Sequence, residues 1–135
     1  QREVRFMIGI VIVSHSQKLA EGVVELAKIM APAAQLEAAG GLDYGGIGTS
    51  FTKISQAIDK VYSEDGVAVL MDMGSAVMTT EMVMEDMPDR KIKMFECPLV
   101  EGAVVAAVES LACNSLDELA ERAAAAGAMK KISNE

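Results

Sequence analysis

A change of hydrophobic period at residue 17 limits the folds open to this chain. Residues 8–13 read Ile-Gly-Ile-Val-Ile-Val, a short, β-branched and almost wholly apolar run. A strand needs such a run when both faces of its sheet are covered, as in parallel sheets. From Gln17 the apolar positions recur at helical spacing: Leu19, Val23, Leu26, Ala27 and Met30 are predicted on one face, with Lys18, Glu21, Glu25 and Lys28 elsewhere. Pro32 stops that helix. A buried strand that passes into an amphipathic helix within a few residues is the first half of a crossover, which parallel strands require.

The same switch recurs along the chain. Residues 35–39 are a weak strand candidate, followed by the segment 40–50, in which five of eleven residues are glycine. A second helix is predicted from about Ser50, with Phe51, Ile54, Ala57, Ile58 and Val61 on its apolar stripe. Ser63-Glu64-Asp65-Gly66 reads as a turn, residues 67–71 as another apolar strand, and a third helix follows Asp72-Met73-Gly74-Ser75 to about Met87. Pro88 and Asp89 end it, residues 91–95 make a fourth strand candidate, and residues 100–112 are rich in Ala and Val at helical spacing. Ser115 through Glu118 matches the S-x-x-E capping box, so a last helix should begin there and stop near Gly127. This alternation predicts an α/β fold: an open, mainly parallel four-stranded sheet with helices on both faces and right-handed crossovers. At 135 residues one domain is expected. Residues 1–6 read as an appended remnant ahead of a native start at Met7, leaving 7–135 as the single domain.

Charge and cysteine usage narrow the function. A net charge of −8 opposes capture of phosphate backbones, so no nucleic-acid partner is expected. No apolar run approaches the roughly 20 residues that span a bilayer, so no membrane partner is expected either. The run 7–13 is one strand long and lacks a small-residue cleavage site, which predicts a cytoplasmic protein. Cys97 and Cys113 form no C-x-x-C, and His15 is the only histidine. Both thiols read as reduced, and no metal or cofactor is expected.

Sheets of this kind bind ligands outside the carboxyl ends of their strands. His15 follows strand one, the glycine-rich loop strand two, Asp72 strand three, and Glu96 and Glu101 strand four. A histidine with a pKa near about 6.5 is largely neutral at pH 7 and can act as a nucleophile. An aspartate beside it can hold the proton on one ring nitrogen and leave the other free to attack. Gly74, Ser75 and Ala76 open a helix, where unpaired N–H groups and the helix dipole favour an anion. The 40–50 loop lacks the lysine of a Walker motif and the third glycine of a dinucleotide fingerprint. What remains is close backbone approach to a phosphoryl group or a partner at Gly48, with Thr49 or Ser50 as hydroxyl donors. Each residue also has a plainer reading, as a surface histidine, a capping aspartate or a flexible turn. Seven of the ten methionines lie between Met71 and Met94. Core filling is the expectation for them, and an adaptable partner surface the alternative.

Ile-Val-Ile-Val-Ser-His-Ser at 10–16, Gly-Ile-Gly-Thr-Ser at 46–50, Met-Asp-Met-Gly-Ser-Ala at 71–76 and Pro-Leu-Val-Glu-Gly-Ala at 98–103 together resemble the phosphotransfer subunits of phosphoenolpyruvate-dependent dihydroxyacetone kinases. Their domain belongs to the mannose-type IIA group of the sugar phosphotransferase system. The resemblance implies a phosphocarrier that takes a phosphoryl group from phospho-HPr on His15 and passes it to ADP held on a nucleotide-binding kinase subunit. Asp72 would orient the histidine, and Gly74 and Ser75 would form part of the phosphate cradle. It also implies a homodimer, which the Ala and Val faces of residues 100–112 suit. The chain resembles the short, single-domain form. It has no Trp, and so lacks the Trp-Gly-Gly-Ser of mannose-transporter IIA domains. A IIA component of a mannose-family sugar transporter remains one alternative, and a non-catalytic flavodoxin-like ligand-binding module another. A receiver-like module phosphorylated on Asp72 is a third, although Ser14-His15-Ser16 stands where such modules place acidic metal ligands.

Overall fold

The computed structural model describes residues 7–132, so the segment 1–6, read as an appended remnant, lies outside the described residues. The elements in chain order are β1 (Gly9–Ser14), α1 (Gln17–Met30), β2 (Gln35–Gly40), α2 (Phe51–Val61), β3 (Val67–Met71), α3 (Ser75–Glu85), β4 (Ile92–Met94), α4 (Leu99–Glu109) and α5 (Leu116–Ala125), with a 3-10 turn at Ala126–Ala128. The four strands are parallel in the order β2-β1-β3-β4. The α/β prediction therefore holds. The chain starts in the middle of the sheet, steps outward to β2, then crosses back to β3. At that reversal the loops after β1 and β3 leave side by side, with Val13 in register with Met71.

Period-two alternation along the strands sorts the core into two layers. Ile8, Ile10, Ile12, Leu36, Ala68 and Leu70 pack with α1, α4 and α5 on one face. Val11, Val13, Ala39, Val67 and Val69 pack with α2 and α3 on the other. Full burial of each large aliphatic side chain contributes about 1.5–3 kcal/mol. Serine hydroxyls start three helices, with Ser16 accepting from the Leu19 N–H, Ser50 from that of Lys53, and Ser115 from that of Glu118.

Three expectations need correction. In α1 the buried residues are Ala20, Val23 and Ala27, while Leu19, Leu26 and Met30 are exposed. The helix is rotated so that small residues meet the sheet and α4, whose own buried residues are Gly102, Ala103, Ala106 and Ala107. Two helices lined by alanine and glycine can approach closely, leaving no room for leucine between them. In α2 the stripe is buried from Ile54 onward, but Phe51 is exposed. The Met-rich segment is core filling only in part: Met71, Met87 and Met94 pack, half-buried, against the Val-rich layer, whereas Met73, Met78 and Met82 are exposed.

Candidate functional site

His15 is the first residue past β1, and Asp72 the first past β3. The Asp72 N–H continues the ladder by donating to the Val13 carbonyl at 3.2 Å, which fixes where its side chain starts. One carboxylate oxygen of Asp72, Oδ2, accepts from the Ser14 hydroxyl at 2.9 Å and from the His15 N–H at 3.0 Å. The other, Oδ1, lies 3.0 Å from His15 Nδ1. On the far side of the ring, Nε2 lies 2.8 Å from the Ser75 hydroxyl. The His15 carbonyl accepts from the Gly48 N–H at 2.9 Å. All four polar groups of His15 are therefore engaged, and its side chain is 18% exposed.

Burial by itself would raise the Asp72 carboxyl. Hydrogen bonds from the His15 N–H, the Ser14 hydroxyl and the His15 ring, together with the charge of His15, outweigh it and hold Asp72 below the usual aspartate range. An ionised carboxylate only accepts, so Nδ1 carries the ring proton. In the neutral ring Nε2 is then left with its lone pair, accepting from Ser75. A nucleophilic nitrogen poised in this way can take an electrophile, and the positive ring that results lies against a fixed negative charge.

The two predicted phosphate-binding segments differ. Gly74 precedes α3, which no side chain caps, and the N–H groups of Gly74 and Ser75 make no hydrogen bond among the described residues. The Ala76 N–H donates to the Met73 carbonyl at 3.0 Å. In the glycine-rich loop, by contrast, the Ser50 hydroxyl caps α2 and also donates to Asp43. The Thr49 hydroxyl is 2.9 Å from that of Thr79 on α3. Gly48 sits at φ 148°, and a Cβ there would fall 2.8 Å from Leu42 Cδ2, so the loop needs glycine to reach the His15 carbonyl. The sequence did not reveal Ser14 as a site residue. It sits at the end of β1 like any strand residue, and only the fold brings Asp72 to its hydroxyl.

Glu96 lies beside Asp72 in the wall of a cleft of about 400 Å³, whereas Glu101 is turned to Lys131 at 2.6 Å. Cys97, in the same cleft, is pushed up to about 11 by burial and by the neighbouring Glu96, so it stays a thiol at neutral pH. Among the described residues no cluster of His, Cys, Asp and Glu could hold a metal ion, and no helix is long and apolar enough to cross a membrane.

Residues 9–123 match the family described as the PTS system fructose IIA component. The chain is 43% identical over 98 residues to the PTS-dependent dihydroxyacetone kinase, phosphotransferase subunit DhaM, of Lactococcus lactis, covering 73% of this chain and 78% of that protein. It is 40% identical to the PEP-dependent dihydroxyacetone kinase 1, phosphoryl donor subunit DhaM, of Listeria innocua, covering 75% of this chain and 80% of that one. The corresponding Escherichia coli subunit is 38% identical over 84% of this chain, which spans only 25% of that longer protein. Among solved structures, a protein of unknown function superposes with a TM-score of 0.76 at 26% identity, covering 88% of this chain and 94% of the other. The phosphotransferase system component EIIA of Streptococcus agalactiae superposes at 0.69 with 18% identity over 90% and 93%, and so shares the fold.

Proposed function

The chain belongs to the PTS system fructose IIA component family, and within it to the phosphotransfer subunits of PEP-dependent dihydroxyacetone kinase; from that premise we propose that it is a phosphohistidine carrier that accepts a phosphoryl group from phospho-HPr and delivers it to ADP on the kinase's nucleotide-binding subunit. The observation that carries this reading is the line from Asp72 through the His15 ring to Ser75, with Nδ1 held by the carboxylate and Nε2 facing a hydroxyl. In the forward step the Nε2 lone pair forms a bond to phosphorus as the bond from phosphorus to the donor's imidazole nitrogen breaks. No proton leaves His15, because Nδ1 keeps its own. The ring becomes positive and Asp72 stabilises it. Ser75 swings its donor from Nε2 to a phosphoryl oxygen, and the N–H groups of Gly74 and Ser75 receive the others. Onward transfer reverses the roles, an ADP oxygen displacing Nε2 from phosphorus.

Little further machinery is required, since phosphoryl transfer depends on in-line positioning and neutralisation of the oxygens. The carrier acts in the cytoplasm as a homodimer, with the exposed Val100 and Val108 of α4 in the subunit contact. Incubation with phosphoenolpyruvate, enzyme I and HPr, read by intact mass, tests the central step. One phosphoryl group should be gained, lost in acid and kept in alkali. Uptake with the reverse lability would place the group on a carboxylate instead. Light scattering that gives twice the mass of 14.3 kDa supports the dimer, and a monomer refutes it.

A further inference from the structure

Ser14 ends β1 fully buried, although every other residue of that strand after Gly9 is aliphatic. A buried hydroxyl in such a place needs partners, and it has two. The Ser16 N–H donates to Ser14 Oγ at 3.0 Å, and Oγ lies 2.9 Å from Asp72 Oδ2. A hydroxyl carries a single proton, and an ionised carboxylate only accepts. With the Ser16 N–H on one of the Oγ lone pairs, the Ser14 proton points at Oδ2.

The other restraints on Asp72 leave its carboxylate free to turn. Its backbone N–H is held by the Val13 carbonyl, which fixes no side-chain torsion, and the His15 N–H reaches the same Oδ2 at 3.0 Å. One donor lets a carboxylate pivot about that contact, whereas a second donor from a different group removes the freedom. The Asp72 side chain is 12% exposed, so water has little access to replace the hydroxyl. With Oδ2 pinned, Oδ1 is left to meet Nδ1 at 3.0 Å. At the other end of the ring Ser75 makes no choice of tautomer, because its hydroxyl can donate to a bare Nε2 or accept from a protonated one. The selection falls to Oδ1.

We propose that Ser14 is a positioning residue for His15: by holding Oδ2 it aims Oδ1 at Nδ1, and so selects the tautomer that leaves the lone pair on Nε2. Being buried, Ser14 touches no partner and acts through Asp72. The effect on phosphoryl transfer rests on the carrier reading, whereas the effect on the tautomer does not. The rival role is a turn alone, in which the bond from the Ser16 N–H to Ser14 Oγ steadies the entry to α1 and the ring is indifferent to the hydroxyl.

His15 is the only histidine, so the whole chain labelled with ring-15N histidine gives one pair of imidazole signals, read with no partner present. In the neutral ring of the wild type, Nδ1 should be protonated and Nε2 bare. In Ser14→Ala both signals should move towards the averaged positions of a tautomer mixture, and Ser14→Thr, which keeps the hydroxyl, should restore them. Single-turnover uptake from phospho-HPr should slow about tenfold in Ser14→Ala at saturating donor, with the half-saturating donor concentration unchanged. If Ser14→Ala does not fold, Ser14→Cys, nearly isosteric and a weak donor, makes the same comparison. A wild-type ring protonated on Nε2 overturns the proposal. So do wild-type ring signals in a Ser14→Ala protein of lowered thermal midpoint, which would leave the serine as a turn residue. Absence of uptake by the wild type removes the carrier reading, and the ring signals still judge Ser14 on their own.

Discussion

The two loops that flank His15 differ in composition and, more tellingly, in what their donors do. The 40–50 loop has five glycines, yet the N–H of Gly48 and the hydroxyls of Thr49 and Ser50 already have partners within the fold. The 72–76 loop has one glycine, and the N–H groups of Gly74 and Ser75 have no partner among the described residues. Glycine content measures how closely backbone can approach, whereas an anion site needs donors with nothing else to bind. The first loop fixes the histidine from behind; the second faces Nε2, the nitrogen proposed to react.

The harshest test of that contrast is His15→Ala, which should abolish phosphoryl uptake while leaving the thermal midpoint close to wild type, since a loop residue at the sheet edge, outside both core layers, carries little packing energy. Uptake by the folded variant, read by intact mass, would end the contrast, because neither loop would then flank the reacting atom. Asp72→Asn should come next. Losing a charge-assisted hydrogen bond worth about 2 kcal/mol in the charged state slows transfer roughly 30-fold in single-turnover measurements. Transfer at the wild-type rate would reduce Asp72 to a strut for Ser14 and the backbone.

The serines separate the loops directly. Ser75→Ala should slow transfer about fivefold with the thermal midpoint unchanged, as expected for one neutral hydrogen bond. Ser50→Ala should do the converse, costing about 1 kcal/mol of stability in urea through loss of the α2 cap, with a smaller effect on rate. If Ser50→Ala hurts transfer more than Ser75→Ala, the assignment of the two loops is reversed.

The smallest effect is in acid. Asp72 has a depressed folded value, so its stabilisation is complete above its ordinary value of about 3.9 and is lost as pH falls through the folded one. Wild type should therefore lose more stability than Asp72→Asn over that acid interval. Parallel loss in both proteins would show that the hydrogen bonds of Asp72 do not couple to folding.

Much of this molecule is legible in its sequence, for identifiable reasons. Ile8 to Val13 announces a doubly covered strand because every position there is apolar, and the Ser115 capping box starts α5 because its chemistry is local. Local chemistry also placed His15 and Asp72 at the same edge, since each simply follows an apolar strand. What depended on packing was misjudged. Leu19, Leu26 and Met30 look like the inner face of α1 by hydrophobicity, but the close approach of α4 gives that face to Ala20 and Ala27. Whether Gly48 or Gly74 keeps a free N–H depends on which carbonyl the fold brings near. The contact of Ser75 with His15 joins residues 60 positions apart.

Because backbone and ring of His15 are held at every polar atom before any reaction, phosphorylation has little left to organise. A side chain that had to be recruited from many rotamers would dissipate part of the incoming free energy as ordering entropy at each relay. In the proposed carrier the imidazole is already held just past a central strand, so little of the group-transfer potential received from one partner would go into ordering it. The direction of the proposed relay would then be set by the partners at either end.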